Sequence, residues 1–202
     1  TASVTDWSFI RDGDLADIHQ PIDVLGVNYY STATVRMWDG VSPKQQNDGH
    51  KGAEGGTAWP GSDQVVEFVE QPGPYTAMGW NIAPEGLEEL LVSLHDQFPG
   101  QALMVTENGA AFDDTVAADG SVPDPERLDY LRRHFTAAHR AMARGVDLRG
   151  YFVWSLLDNF EWGYGYAKRF GIVRVDFNTL ERTVKDSGRW YQQLVAPPRI
   201  PA

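Results

Sequence analysis

The sequence has no cysteine, which removes disulfides, zinc–thiolate sites and thiol nucleophiles from consideration. It has no surplus of basic charge. Lys and Arg total 17 against 28 Asp and Glu, and the formal net charge is −11. An acidic chain repels phosphate backbones and anionic lipid surfaces, so nucleic acid and membrane are not expected as partners. No apolar run approaches the roughly 18 residues that span a bilayer. The first residues, Thr1 to Trp7, carry neither a basic n-region nor an apolar h-region, so no signal peptide is read there. There is no initiator methionine, and cytoplasm is the expected compartment. Neither Gly-x-Gly-x-x-Gly nor Gly-x-x-x-x-Gly-Lys-Ser/Thr occurs, which leaves nucleotide binding without support.

What the sequence does contain is a globular composition rich in aromatics. Hydrophobic residues make up 42% of its 202 positions, enough for one sizeable core. Seven Trp, eight Tyr and nine Phe include several short clusters beside carboxylates. Core packing accounts for most aromatics. Sugar sites also use them, because the C–H face of a pyranose is apolar while its rim is polar. Composition leaves both readings open.

Three near-continuous apolar runs end in polar residues: Asp23 to Tyr30, Ala102 to Gly109 and Gly150 to Asn159. Continuous apolarity predicts parallel strands buried on both faces. Between them, Pro84-Glu85-Gly86 opens a helix whose apolar face is Leu87, Leu90, Leu91, Leu94 and Phe98, stopping before Pro99-Gly100. A second helix opens at Asp124-Pro125-Glu126, with Asp124 as capping residue and proline in the first turn. It ends at Gly145. A short strand at Gly171 to Phe177 and a last helix from about Ser187 complete the chain. Trp38 to Tyr75 is rich in Gly, Pro, Gln and Asp and reads as a long inserted loop. The alternation predicts a parallel α/β fold, with polar residues gathered at the strands' C-terminal ends, where barrels and doubly wound sheets alike place their sites.

Four constellations stand at those ends. Thr106-Glu107-Asn108-Gly109 puts a glutamate at the mouth of a buried strand, where an acid is costly unless paired or functional. Taken alone it is as well explained by a salt-bridged acid before a glycine turn. Trp154-Ser155-Leu156-Leu157-Asp158-Asn159-Phe160-Glu161-Trp162, followed by Lys168-Arg169-Phe170-Gly171-Ile172, interleaves acids with indoles. Asn28-Tyr29-Tyr30 offers a tyrosine hydroxyl to a neighbouring strand end. Met78-Gly79-Trp80 precedes the first long helix and is equally a loop tryptophan capping the core.

Together, and in this order, these motifs resemble glycoside hydrolase family 1, the β-glucosidases and their relatives, over almost the whole chain. The resemblance implies a (β/α)8 TIM barrel, of which residues 1–202 look like the C-terminal three βα units, strands six to eight, forming one partial domain with the long loop at about 38–75. It implies a retaining β-glycosidase, acting on β-glucosides or cellobiose-like oligosaccharides with no metal or organic cofactor. Glu107 matches the nucleophile and Tyr30 the tyrosine that hydrogen-bonds it, with Asn28 lining the same subsite. Trp154 matches the platform under the sugar, and Glu161 the acceptor of its 4- and 6-hydroxyls. Trp162 lies beside that glutamate, Phe170 closes the pocket edge, and Trp80 meets the aglycone. Family members acting on 6-phosphorylated sugars replace the residue at Glu161, so its presence points to an unphosphorylated sugar.

The family's acid/base lies in an Asn-Glu-Pro motif on the fourth strand, and no Asn-Glu-Pro occurs here. A (β/α)8 barrel typically needs about 250 residues. The expectation is therefore a fragment that needs the N-terminal part of the same enzyme, or self-associates, because three open strands leave two unpaired edges. Alone, the chain is expected to be inactive, a sugar-binding or structural piece. A separate carbohydrate-binding module is the rival reading, disfavoured by the βα alternation, since such modules are usually β-sandwiches.

Overall fold

The computed structural model describes residues 6–43 and 65–196. Its elements run α1 (Asp14–Ile18), β1 (Leu25–Asn28), β2 (Thr34–Met37), β3 (Val66–Val69), α2 (Pro84–Gln97), β4 (Leu103–Asn108), α3 (Pro125–Ala143), β5 (Leu148–Val153), a 3₁₀ turn at Trp162–Tyr164, β6 (Val173–Val175), β7 (Arg182–Val184) and α4 (Asp186–Val195). The three expected strands form one sheet in the order β1-β4-β5, parallel throughout. Its outer strands, β1 and β5, pair on one side only within that sheet.

Helices cover one face of this sheet. Val27, Leu103 and Val105 from the strands meet Leu87 and Leu91 of α2 and Ala138 and Ala141 of α3 in one buried cluster. Each fully buried leucine there contributes roughly 2–3 kcal/mol. Tyr29 joins the same cluster, and its hydroxyl donates to the Ala83 carbonyl at 2.5 Å. A Cβ on Gly86 would strike that hydroxyl and the Thr32 methyl, so glycine lets the start of α2 lie close against the chain leaving β1. A second cluster docks α4. Phe135 stacks on Tyr151 at 4.0 Å and meets Trp190 edge-on, and Tyr130, Leu131 and Ile172 are buried beside them.

The other sheet face is open in this chain, which corrects the reading of strands buried on both sides. Asn28, Thr106 and Phe152 are exposed, Phe152 at 54%. The apolar runs are continuous because one face packs on helices while the opposite face is itself partly apolar.

Several boundaries also shift. The run to Asn159 leaves the sheet after Val153, and Trp154 to Asn159 form a loop packed on Phe170 to Val173. The inserted region is not loop throughout. Val66–Val69 pairs antiparallel with Thr34–Met37, and Arg36 bridges Glu67 through two bonds of 2.9 and 3.0 Å. Residues 44–64 of that region lie outside the described residues. Asp124 precedes α3 as expected but makes no side-chain cap bond. Its carboxylate is taken by Arg127 at 2.5 Å and by the Ser187 backbone N–H at 2.8 Å. Both long helices start on proline, and Gly145 follows α3 with φ 101°. Among the described residues no helix is long and apolar enough to cross a membrane, and no group of three or more His, Asp or Glu is placed to hold a metal ion.

Candidate active site

The loops that follow β1, β4 and β5 converge at the C-terminal edge of the sheet. Their meeting depends on one close approach. The Trp154 N–H donates to the Asn108 carbonyl at 2.9 Å, continuing the β4–β5 ladder by one bond. A Cβ on Gly109 would collide with the Trp154 carbonyl oxygen. Gly109 is not in the left-handed region. Glycine is needed here for proximity rather than for the sharp turn read from the sequence.

Around this point lies a pocket of about 520 Å³, lined by Tyr30, Met78, Trp80, Glu107, Trp154, Glu161, Trp162, Tyr164 and Phe170. Seven of the eight residues singled out in the sequence thus share one cavity. Asn28 is the exception. It sits exposed at the end of β1, opposite Glu107 in register, and its Oδ1 accepts from the Thr106 hydroxyl at 2.6 Å. Sequence reasoning missed Met78 and Tyr164 as lining residues. The alternation Trp162-Gly163-Tyr164-Gly165-Tyr166 was the available signal for Tyr164, since glycines between aromatics let each ring choose its own direction.

Aromatic packing forms the floor. Phe170 is 1% exposed, with Tyr30 edge-on at 6.2 Å and Trp80 at 6.0 Å. Tyr30 and Trp80 lie 5.4 Å apart. The loop carrying Trp80 is held by the Ala77 N–H to the Ala111 carbonyl at 2.9 Å and by Lys168 Nζ donating to the Ala77 carbonyl at 2.6 Å. Trp162 stands at the rim, 80% exposed, with φ 41°, a conformation uncommon for a bulky side chain.

Two carboxylates face this pocket, in different surroundings. Glu107 is half-buried, and the Tyr30 hydroxyl donates to its Oε2 at 2.6 Å. Burial and the neighbouring carboxylate hold the Tyr30 proton on, well above the usual tyrosine range, so Tyr30 acts as a fixed donor. Glu161 is 8% exposed, and its Oε2 has no hydrogen-bond partner among the described residues. Its pKa is raised, first by burial and further by the charge of Glu107, against a lowering hydrogen bond from the Trp154 side chain. A donor-poor carboxylate walled by indoles suits a ligand that brings its own hydroxyls and an apolar face.

Residues 3–198 match the model of the family described as glycosyl hydrolase family 1. The chain belongs to glycosyl hydrolase family 1. Its relatives in the family include the bifunctional β-D-glucosidase/β-D-fucosidase of Bifidobacterium breve, 51% identical over 97% of this chain, and β-glucosidase A of Thermotoga maritima, 46% identical over 90%. A 6-phospho-β-galactosidase of Streptococcus equi subsp. zooepidemicus is 39% identical over 88%. The chain spans only 42%, 36% and 38% of these three family members' lengths. Among solved structures, the family 1 β-glucosidase of Thermotoga maritima in complex with isofagomine lactam superposes with a TM-score of 0.76 at 46% identity, over 90% of this chain and 36% of that one. The same family 1 enzyme in complex with deoxynojirimycin superposes equally well. The β1-β4-β5 sheet and its helices are therefore one part of the family's TIM barrel.

Proposed function

We propose that this chain carries the nucleophile half of a retaining β-glucosidase acting on unphosphorylated β-D-glucosides, and that Glu107 is the nucleophile. The observation that carries the reading is the Tyr30 hydroxyl on Glu107 Oε2 at the mouth of a pocket walled by Trp80, Trp154 and Phe170. The tyrosine engages Oε2 and leaves Oε1 to attack the anomeric carbon. As that bond forms, the bond to the aglycone oxygen breaks through an oxocarbenium-like transition state. The leaving oxygen takes a proton from an acid, and the same group later draws a proton from the water that releases the sugar. Such an acid must lie about 5–5.5 Å from Glu107. We assign it to the part of the protein outside this chain, which spans 36–42% of the relatives above. The same part would cover the open face that exposes Asn28, Thr106 and Phe152.

Trp154 would stack on the sugar face, and Glu161 would accept hydroxyls at its rim. A carboxylate at that rim repels a 6-phosphate, which favours an unphosphorylated substrate. The test is covalent. The complete enzyme is treated with a dinitrophenyl 2-deoxy-2-fluoro-β-glucoside, whose activated leaving group needs no acid. Peptide mapping is expected to find the sugar ester on Glu107, and a label on any other residue overturns the assignment.

A further inference from the structure

The Tyr30 hydroxyl is useful only if the backbone that carries Tyr30 stays in place, and the parallel ladder does not reach that far. Its last bond on this side is from the Tyr29 N–H to the Glu107 carbonyl at 2.9 Å, and the register has already shifted between Val27 and Asn28. Beyond it, side chains take over. Asn108 Nδ2 donates to the Tyr29 carbonyl at 2.8 Å, and the Tyr130 hydroxyl donates to the Tyr30 carbonyl at 3.1 Å.

These bonds form a directed relay. The Tyr151 hydroxyl donates to Asn108 Oδ1 at 2.5 Å, which fixes the amide with its Nδ2 toward Tyr29 and Tyr130. Nδ2 donates to the Tyr130 oxygen at 3.0 Å. With that oxygen accepting, the Tyr130 proton is directed onto the Tyr30 carbonyl. Asn108 and Tyr130 are both fully buried, so water does not compete for these groups. Tyr130 is carried by α3, is not among the residues lining the cavity, and makes no hydrogen bond to Glu107.

We propose that Tyr130 is a positioning residue for the attack step: through the Tyr30 carbonyl it sets where the Tyr30 hydroxyl meets Glu107. The inference rests on the reading of Glu107 as nucleophile. Losing the relay would let the Tyr30 segment drift, and a misplacement of about 1 Å near the reacting group can cost roughly 100-fold.

The complete enzyme is compared with its Tyr130→Phe variant, using the fluoroglucoside above and recording the maximal inactivation rate and the half-saturating concentration separately. Tyr130→Phe is expected to slow inactivation about tenfold with half-saturation changed less than twofold. Replacement by 4-aminophenylalanine, which keeps a donor at the same place, is expected to restore most of the rate. An unchanged rate in the active fraction, with only a lowered unfolding midpoint, would mean that Tyr130 merely packs, and the inference falls. So would a 4-aminophenylalanine variant as slow as Tyr130→Phe. If Tyr130→Phe gives too little folded enzyme, 4-fluorophenylalanine fills the space without donating and takes its place. A wild-type label on a residue other than Glu107 defeats the parent reading instead, a different result in a different measurement.

Discussion

Asp158 and Glu161 are three residues apart on one loop, and their carboxylates are treated in opposite ways. Asp158 is buried among donors: the Gly171 N–H at 3.0 Å, the Val175 N–H at 3.3 Å, Arg169 at 2.5 Å and Lys185 at 3.0 Å. It belongs to a cluster in which Arg127 also binds Asp114 and Asp124, and Lys185 also binds Asp114. Three acids thus meet three bases. Lys185 is wholly buried, its pKa lowered by burial and by Arg127 while Asp114 and Asp158 oppose the shift. Glu161 is also buried, 8% exposed against 4% for Asp158, but faces the pocket with one oxygen lacking a partner among the described residues. Through Lys185 the saturated acid ties the loop after β4 (Asp114) to the loop after β5 (Asp158), while the unsaturated one lines the pocket. In this molecule a carboxylate's supply of donors separates scaffold from site better than its burial does.

Three substitutions in the complete enzyme test that division. Glu107→Gln leaves volume and fold intact but removes the attacking charge, and turnover is expected to fall about 10⁴-fold or more. Steady-state kinetics checks it, and near-normal turnover would place Glu107 with the scaffold acids. Asp158→Asn leaves Lys185 and Arg169 without their shared partner. Breaking such a buried pair costs about 3–5 kcal/mol, read as a lower urea midpoint, with activity per folded molecule changed only a few-fold. A large loss of activity at full stability would dissolve the comparison. Glu161→Gln should do the reverse. Charge-assisted bonds to sugar hydroxyls are lost, and kcat/KM drops about 100-fold. The unfolding midpoint should hold or rise, because a partly unpaired buried charge has been removed. A marked loss of stability there would show that Glu161 is structural after all.

Much of this arrangement is legible in the sequence. Val27, Leu103 and Val105 lie in the apolar runs read as parallel strands, and Leu87 and Leu91 recur at helical spacing. The pocket residues were found through four motifs, three at the ends of those runs and one before the first long helix, that together resemble the family. What was not legible depends on contacts between distant segments. Leu156 and Leu157 look like continued strand, yet the chain turns there to pair with Phe170 to Val173, and local apolarity is the same in both cases. Asp124 has the position and residue type of a helix cap, but Arg127 and Ser187 compete for its oxygens, and Ser187 is 63 residues away. The strand at Val66–Val69 exists through its pairing with Thr34–Met37, invisible to a reading of its own neighbourhood. Residue type and position do not separate Asp158 from Glu161, which only the family resemblance set apart: their physical difference lies in Arg169, Lys185 and two backbone amides brought in by the fold.

A third buried titratable group offers the smallest and most local test. His134 is fully buried in α3 and stacked on Tyr130 at 3.9 Å, with Tyr29 at 6.0 Å. Its Nδ1 lies 2.7 Å from the Tyr130 carbonyl, which can only accept, so Nδ1 carries the proton. Nε2 is left without a partner among the described residues. Burial pushes the pKa down to about 4. The Tyr130 carbonyl and Glu85 oppose that shift and Arg133 adds to it. The unfolded chain, titrating near 6.5, therefore binds this proton more readily than the folded one. Stability is fully present above pH 6.5 and is lost as the pH falls toward 4, by roughly 3 kcal/mol in all. His134→Phe keeps the ring against Tyr130 and removes the proton. Urea midpoints measured at pH 7 and pH 4.5 should therefore differ less in the variant than in the wild type, by an amount equivalent to about 2–3 kcal/mol. Equal differences in the two proteins would mean that His134 is charged in the folded state. Its Nε2 would then be satisfied, like Asp158, rather than unpaired, like Glu161.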